Sequence, residues 1–147
     1  MIPLRHVVAL ALVALFLALA ALHVAWAFGG RWGASVAVPE VDGRPAFRPS
    51  RAATLVVALL LGAAAAIIAM RASTDPGPSD ASWLPRLVRI GTWTLSAVFA
   101  LRAVGNFDTF GFFKVARDTP FARYDTRLFS PLCAAIALGC VVVARGP

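Results

Sequence analysis

Two short stretches of this 147-residue chain carry the side chains that could do chemistry. In HVAWAFGGRWG, which begins at His23, the imidazole and the Trp26 indole stand three residues apart, so a helix projects both from one face. In LRAVGNFD, which ends at Asp108, Arg102 and Asn106 are four apart and again share a face. Imidazole is the side chain that takes up and releases a proton near neutral pH, and a guanidinium steadies developing negative charge or grips an anionic group. Asp108, Asp118 and Asp125 follow within reach of both. Each residue also has a plain structural use. Arg102 can clamp the following segment through Asp108 or Asp125, and His23 can donate a single hydrogen bond between helices. Trp26, Trp32 and Trp83 fit an interfacial belt. Gly29 and Gly30 suit a left-handed helix end, which would also let backbone approach a ligand. A cavity shared by His23 and Arg102 would mark binding or catalysis; Arg102 saturated by a carboxylate would mark a clamp.

Other chemistry is excluded by spacing. His6 stands seventeen residues before His23, about 25 Å away along one helix, so the two share no haem or metal. No carboxylate and histidine cluster has ligand spacing, and neither a metal nor a cofactor is implied. Cys133 and Cys140 are seven apart in the last apolar run, about 10 Å along a helix and too far to bridge, so both read as packing residues. No Cys-x-x-Cys, phosphate loop or serine nucleophile motif is present. The apolar spans hold no Asp or Glu between their ends, which removes the central residue of proton-coupled transport.

The elements that must position these groups follow from composition. Hydrophobic residues make up 60% of the chain, charged residues 14%, and the mean hydropathy is +0.79. Soluble domains are about a quarter charged, so this composition belongs to the membrane class. A span needs about 20 apolar residues to cross a hydrocarbon core of about 30 Å. Residues 7–28, 52–70, 87–104 and 128–144 meet or approach this, the third with Arg89 and Arg102 near its ends, where long stems snorkel. Arg5, a leucine-rich core and Ala25-Trp26-Ala27 imitate a signal peptide, but the apolar run exceeds the usual 7–15 residues or so, and the segment reads as a retained span. Pro49-Ser50 reads as a cap for the second span, and Ser130-Pro131 as a cap with a first-turn proline for the fourth. Small residues four apart, Gly62 with Ala66, Ala21 with Ala25 and Ala135 with Gly139, predict close helix approaches. The expected fold is all-α: a single domain, 1–147, formed as an integral membrane bundle of four transmembrane helices.

The connections differ. STDPGPSD, 73–80, is a polar turn. Residues 31–51 carry three prolines and four arginines and read as an ordered loop or short extended excursion. Residues 105–127 hold six Phe or Tyr among Lys114, Arg117, Arg123 and Arg127, an aromatic-rich interfacial segment. Thirteen arginines and one lysine against seven acids give a net charge of +7, and because they flank apolar spans they read as anchors at lipid phosphates rather than as a nucleic-acid face. The 31–51 and 105–127 side holds eight Lys/Arg against Arg5, Arg71, Arg86 and Arg145 on the other, so the positive-inside rule predicts cytoplasmic loops, with both termini outside the cell membrane.

The stretches HVAWAFGGRWG, LRAVGNFDTFGFFK and DTPFARYDTRLFSPLC resemble the small bacterial membrane proteins grouped as domain of unknown function 3995. The matching features are His-x-x-Trp-Ala-x-Gly-Gly-x-Trp-Gly, Arg-x-x-Gly, and an Asp before Pro-Leu. The resemblance implies four spans and no particular activity, and it singles out His23, Trp26, Gly29, Gly30, Arg102, Gly105, Asp125, Pro131 and Leu132 as motif positions. It also implies that many members carry an acid where Asn106 stands, so acid or base chemistry is not expected of that position here. Together these readings favour a non-enzymatic protein binding a lipid headgroup, an amphiphile or a partner helix at a face built from His23, Trp26, Gly29, Gly30, Arg102, Asn106, Asp108 and Asp125. Self-association is compatible with that reading. The rivals are a membrane enzyme on an apolar substrate, using His23 and Arg102, and a passive assembly factor.

Overall fold

The computed structural model describes residues 3–41, 44–74 and 83–145. Helix α1 spans Leu4–Ala27. A 3₁₀ turn at Ala34–Val36 and a two-residue antiparallel ribbon, β1 (Glu40–Val41) with β2 (Arg44–Pro45), lead to α2, Arg51–Ser73. Helix α3 spans Trp83–Val104. Helix α4, Pro120–Tyr124, runs through a π turn at Asp125–Phe129 into α5, Ser130–Arg145. The polar turn at 73–80 lies, from residue 75 on, outside the described residues.

Four helices are long and apolar enough to cross a membrane: Leu4–Ala27, Arg51–Ser73, Trp83–Val104 and the continuous Pro120–Arg145. Their outer faces are apolar as well. Leu59 is 75% exposed, and Leu10, Leu101 and Leu138 are similarly bare. A water-soluble bundle would turn such side chains inward; these faces suit contact with lipid.

Helix α1 packs along α2, α3 along α5, and contacts of α1 with α5 and of α2 with α3 close the ring. The core is small: Phe16, Ile68, Ile136, Cys140 and Val143 are almost fully enclosed, with Ala9, Ala64 and Ala65 letting the backbones near one another. Lipid tails are as apolar as leucine, so tight packing and interhelical hydrogen bonds must hold the helices together. Ser96 supplies one such bond, its hydroxyl donating to the Ala137 carbonyl at 3.0 Å. Of the expected small-residue pairs, the one containing Gly139 marks a close approach, since a Cβ there would stand 3.2 Å from Leu12. Gly62 faces open space, and Ala66, Ala21 and Ala25 are exposed. Gly91 against Ile67 was not foreseen. Both cysteines are free, Cys140 buried and Cys133 half-buried.

Side-chain caps set the starts of the second and fourth spans. The Ser50 hydroxyl accepts from the Ala53 amide at 3.1 Å, as read from the sequence. The fourth span does not start at Ser130-Pro131. Its cap is Thr119, whose hydroxyl accepts from the Ala122 amide at 3.1 Å, with Pro120 in the first turn. Ser130 sits inside the helix, its amide reaching back to the Asp125 carbonyl across the π turn. The sequence reading stopped short because Asp125, Thr126 and Arg127 look like a polar boundary.

Two arginines read as lipid anchors are instead buried. Arg5 donates from Nη2 to the carbonyls of Arg71, Ala72 and Thr74 at 2.9–3.2 Å, and Arg71 donates from Nη2 to the Ala144 carbonyl at 3.1 Å. The last turn of a helix has carbonyls without intrahelical partners and carries partial negative charge. Arg5 thus ties the start of α1 to the end of α2, and Arg71 ties the end of α2 to the end of α5.

Candidate functional site

Asp125 is completely enclosed, and four donors converge on its carboxylate. Arg102 reaches Oδ1 at 2.8 Å; the Gly111 amide, Lys114 Nζ and the Ser130 hydroxyl reach Oδ2 at 2.7, 2.9 and 3.1 Å. Lys114 is only 2% exposed, and its three protons go to Asp125, the Gly111 carbonyl at 2.9 Å and the Thr126 hydroxyl at 2.7 Å. The Arg102 guanidinium lies 4.7 Å from the centre of the Phe110 ring. A buried charge is tolerable only when it is paired and fully hydrogen-bonded. Asp125 and Lys114 meet that condition, whereas Arg102 keeps a buried Nη1 with no hydrogen-bond partner among the described residues. The cluster ties α3, the following loop and the fourth span at one point.

Local geometry makes the convergence possible. Residues five apart do not stack in an α-helix, but the π turn closes its bonds at i+5 and brings Ser130 over Asp125. The loop after α3 folds back on the helix tip. The Phe112 amide donates to the Ala103 carbonyl at 2.8 Å, so loop amides satisfy terminal carbonyls of the helix. Gly105 and Gly111 cross at backbone contact, both with φ of 93°. No side chain fits between them.

Asn106 holds the turn. Its Oδ1 accepts from the amides of Asp108, Thr109 and Phe110 at 2.9–3.2 Å, and its Nδ2 donates to the Thr109 hydroxyl at 3.0 Å. The turn needs a side-chain oxygen at this position rather than an amide or an acid, which an aspartate also provides. Asn106→Asp should therefore leave the thermal midpoint in detergent nearly unchanged, whereas Asn106→Leu strips three amides of their acceptor and costs about 1–2 kcal/mol. Equal losses for both variants would show that the Oδ1 contacts are incidental.

The first stretch forms a separate group. His23 Nδ1 lies 2.7 Å from the Leu19 carbonyl of its own helix, to which it donates, and its ring meets the Trp26 ring edge-on at 4.9 Å. The Trp26 indole donates to the Trp32 carbonyl at 2.7 Å. The Gly30 amide reaches the Ala25 carbonyl at 2.8 Å and the Gly29 amide that of Trp26 at 3.1 Å, with Gly29 at φ 95°, a Schellman end. Arg51 fastens this tip to α2 by donating to the Ala27 carbonyl at 2.9 Å.

So the eight sequence candidates divide. Arg102 and Asp125 meet directly, Asn106 organises the loop they anchor, and the Asp108 side chain is exposed with no partner among the described residues. Among the described residues, no hydrogen bond, ion pair or ring contact joins His23 and Trp26 to the Arg102 cluster. Sequence reasoning missed Lys114, grouped there with surface cations, as well as Gly111 and Ser130. One signal was available: Lys114 is the only lysine in a chain with thirteen arginines. No group of three or more His, Cys, Asp or Glu able to hold a metal occurs among the described residues.

Four apolar helices around a shared core, with an ion-locked loop over one end, define a small multi-pass helical membrane protein. Residues 16–140 match the family described as "Protein of unknown function (DUF3995)", and the chain belongs to that family. No curated protein and no solved structure matches it.

Proposed function

We propose that this protein is a non-catalytic membrane component that holds an amphiphile, foremost a membrane lipid, at its loop-bearing face. One observation carries the reading: exposed rings and cations stand on a platform locked from beneath. Phe107, Phe113 and Val115 project outward with Arg117, while Lys114 and Asp125 are sealed below. A rigid surface mixing apolar and cationic side chains suits the headgroup layer.

A catalytic reading needs His23 and Arg102 about one substrate. Arg102 is engaged by Asp125 and His23 by Leu19, which weighs against catalysis and gives Arg102 the role of a clamp, so the binding reading rests on the outer surface alone. The passive-scaffold reading draws on the same Asp125 lock, which is structural whatever the outer surface does.

Burial sharpens the expected orientation. Arg102 and Lys114 share one aspartate, which balances one of their two charges, and Arg5 and Arg71 are buried. What remains exposed is Arg31, Arg44, Arg48, Arg51, Arg117, Arg123 and Arg127 on the loop face, against Arg86, Arg89 and Arg145 on the other. This bias favours cytoplasmic loops and external termini in the cell membrane.

Native mass spectrometry of the chain extracted in mild non-ionic detergent tests the reading. A retained lipid adduct is expected. A bare protein under conditions that preserve adducts on other membrane proteins would overturn it.

A further inference from the structure

The outer side of the fourth span carries a groove of about 470 Å³ that the Asp125 lock does not use. It is lined by Pro120, Arg123, Tyr124, Arg127 and Leu128. We propose that this groove binds the phosphate headgroup of an anionic phospholipid, with an acyl chain descending the apolar face below it. The proposal rests on the reading that the loop-bearing face holds an amphiphile, and it names the site and the chemical class.

Charge is the first support. Arg123 and Arg127 stand four residues apart, about one turn, and both are exposed. Among the described residues neither side chain makes an ion pair or a hydrogen bond. Asp125, between them in sequence, would be the obvious partner, but it faces the bundle interior and is fully occupied by Arg102, Lys114, Gly111 and Ser130. The π turn that holds Asp125 inward thus leaves two uncompensated guanidiniums outside. Guanidinium presents paired N–H donors matched to phosphate oxygens.

Shape is the second support. The groove volume lies within the range of small-ligand sites. Tyr124 lies over Phe129 with ring centres 6.4 Å apart, which fixes the ring as one wall and leaves it half exposed. Below Leu128 the same helix shows Pro131, Ala135 and Leu138 to lipid, with Leu138 68% exposed. A phosphate at Arg123 and Arg127 would have its hydrocarbon on that apolar surface. Free phosphate would use only the arginines, and a zwitterionic headgroup would bring its own cation to them.

The full-length protein in non-ionic detergent, titrated with dioctanoyl phosphatidylglycerol, dioctanoyl phosphatidylcholine and inorganic phosphate and read by native mass spectrometry, tests the proposal. Wild-type protein should bind phosphatidylglycerol in preference to both other probes. Arg123→Gln and Arg127→Gln should each weaken it about fivefold, and the double variant about thirtyfold. Arg86→Gln/Arg89→Gln, on the opposite rim, should bind as wild type. Because neither Arg123 nor Arg127 makes a hydrogen bond or ion pair among the described residues, their variants should melt as wild type does. If the double variant keeps wild-type affinity, this groove is not the site, although lipid binding elsewhere on the face survives. If phosphatidylcholine binds equally, selection by charge is overturned; if inorganic phosphate binds equally, the acyl contact is overturned. If wild type binds neither lipid, this proposal and the broader reading both fall.

Discussion

Asp125→Leu is expected to be the most damaging single substitution in the chain, at about 3–5 kcal/mol. The loss comes from what stays behind rather than from the contact removed. Lys114, 2% exposed, would lose its counter-charge, and Arg102, the Gly111 amide and the Ser130 hydroxyl would each lose an acceptor. A buried charge without a partner either drags water in or pulls its segment out of the fold. Lys114 lies in the loop, so the loop is the part expected to come away from α3 and the fourth span. Thermal unfolding in detergent should show the lowered midpoint. Hydrogen exchange should show residues 105–116 losing protection while α1 and α2 keep theirs. Lys114→Met/Asp125→Leu should recover part of the loss, because it removes the stranded ammonium together with its partner. No recovery in the double variant would mean that the pair is not coupled as the distances indicate. A wild-type midpoint for Asp125→Leu alone would refute the lock altogether.

The second large effect is expected at the glycine crossing. A Cβ on Gly105 would overlap the Phe110 carbonyl oxygen and stand 2.6 Å from the Gly111 Cα, with φ at 93°, where side chains are strained. Left-handed strain costs about 1–2 kcal/mol, and overpacking against backbone adds about 1–3 kcal/mol. Gly105→Ala should therefore cost about 2–5 kcal/mol, although the change is one methyl group. The two segments cannot both stay in place, so the Gly111 amide should leave the Asp125 carboxylate, linking this variant to the first. Gly62→Ala, in an open position of α2, is the control and should be neutral or slightly stabilising. Matching midpoints for the two alanine variants would dismiss the crossing as a constraint.

The sequence showed the family motifs more clearly than their reasons. Gly29 and Gly30 were visible as a helix end, because backbone needs at a terminus are local and glycine announces them, whereas Gly105 stood out only as a motif position. Arg102 was visible as a residue requiring a partner, but Asp108 and Asp125 were equally available in the string. Asp108 is nearer along the chain, yet its backbone is held in the Asn106 turn and its side chain remains outside. Asp125 is twenty-three residues from Arg102, and the π turn rotates it inward. Nothing in the local pattern TRLFSPLC distinguishes a π turn from an ordinary start of a span at Ser130, so the fourth helix was read eight residues short.

By itself the sequence determined the apolar character of the rods and their number, because these depend on composition summed over about 20 residues at a time. Tertiary structure alone decided which cations are bare and which are buried. Arg5 and Arg71 went to helix-end carbonyls and Lys114 to a carboxylate, while Arg123 and Arg127 stayed outside. The four arginines look alike in a sequence, since the fate of a charge depends on the rotation of its helix and on acceptors brought from elsewhere in the chain.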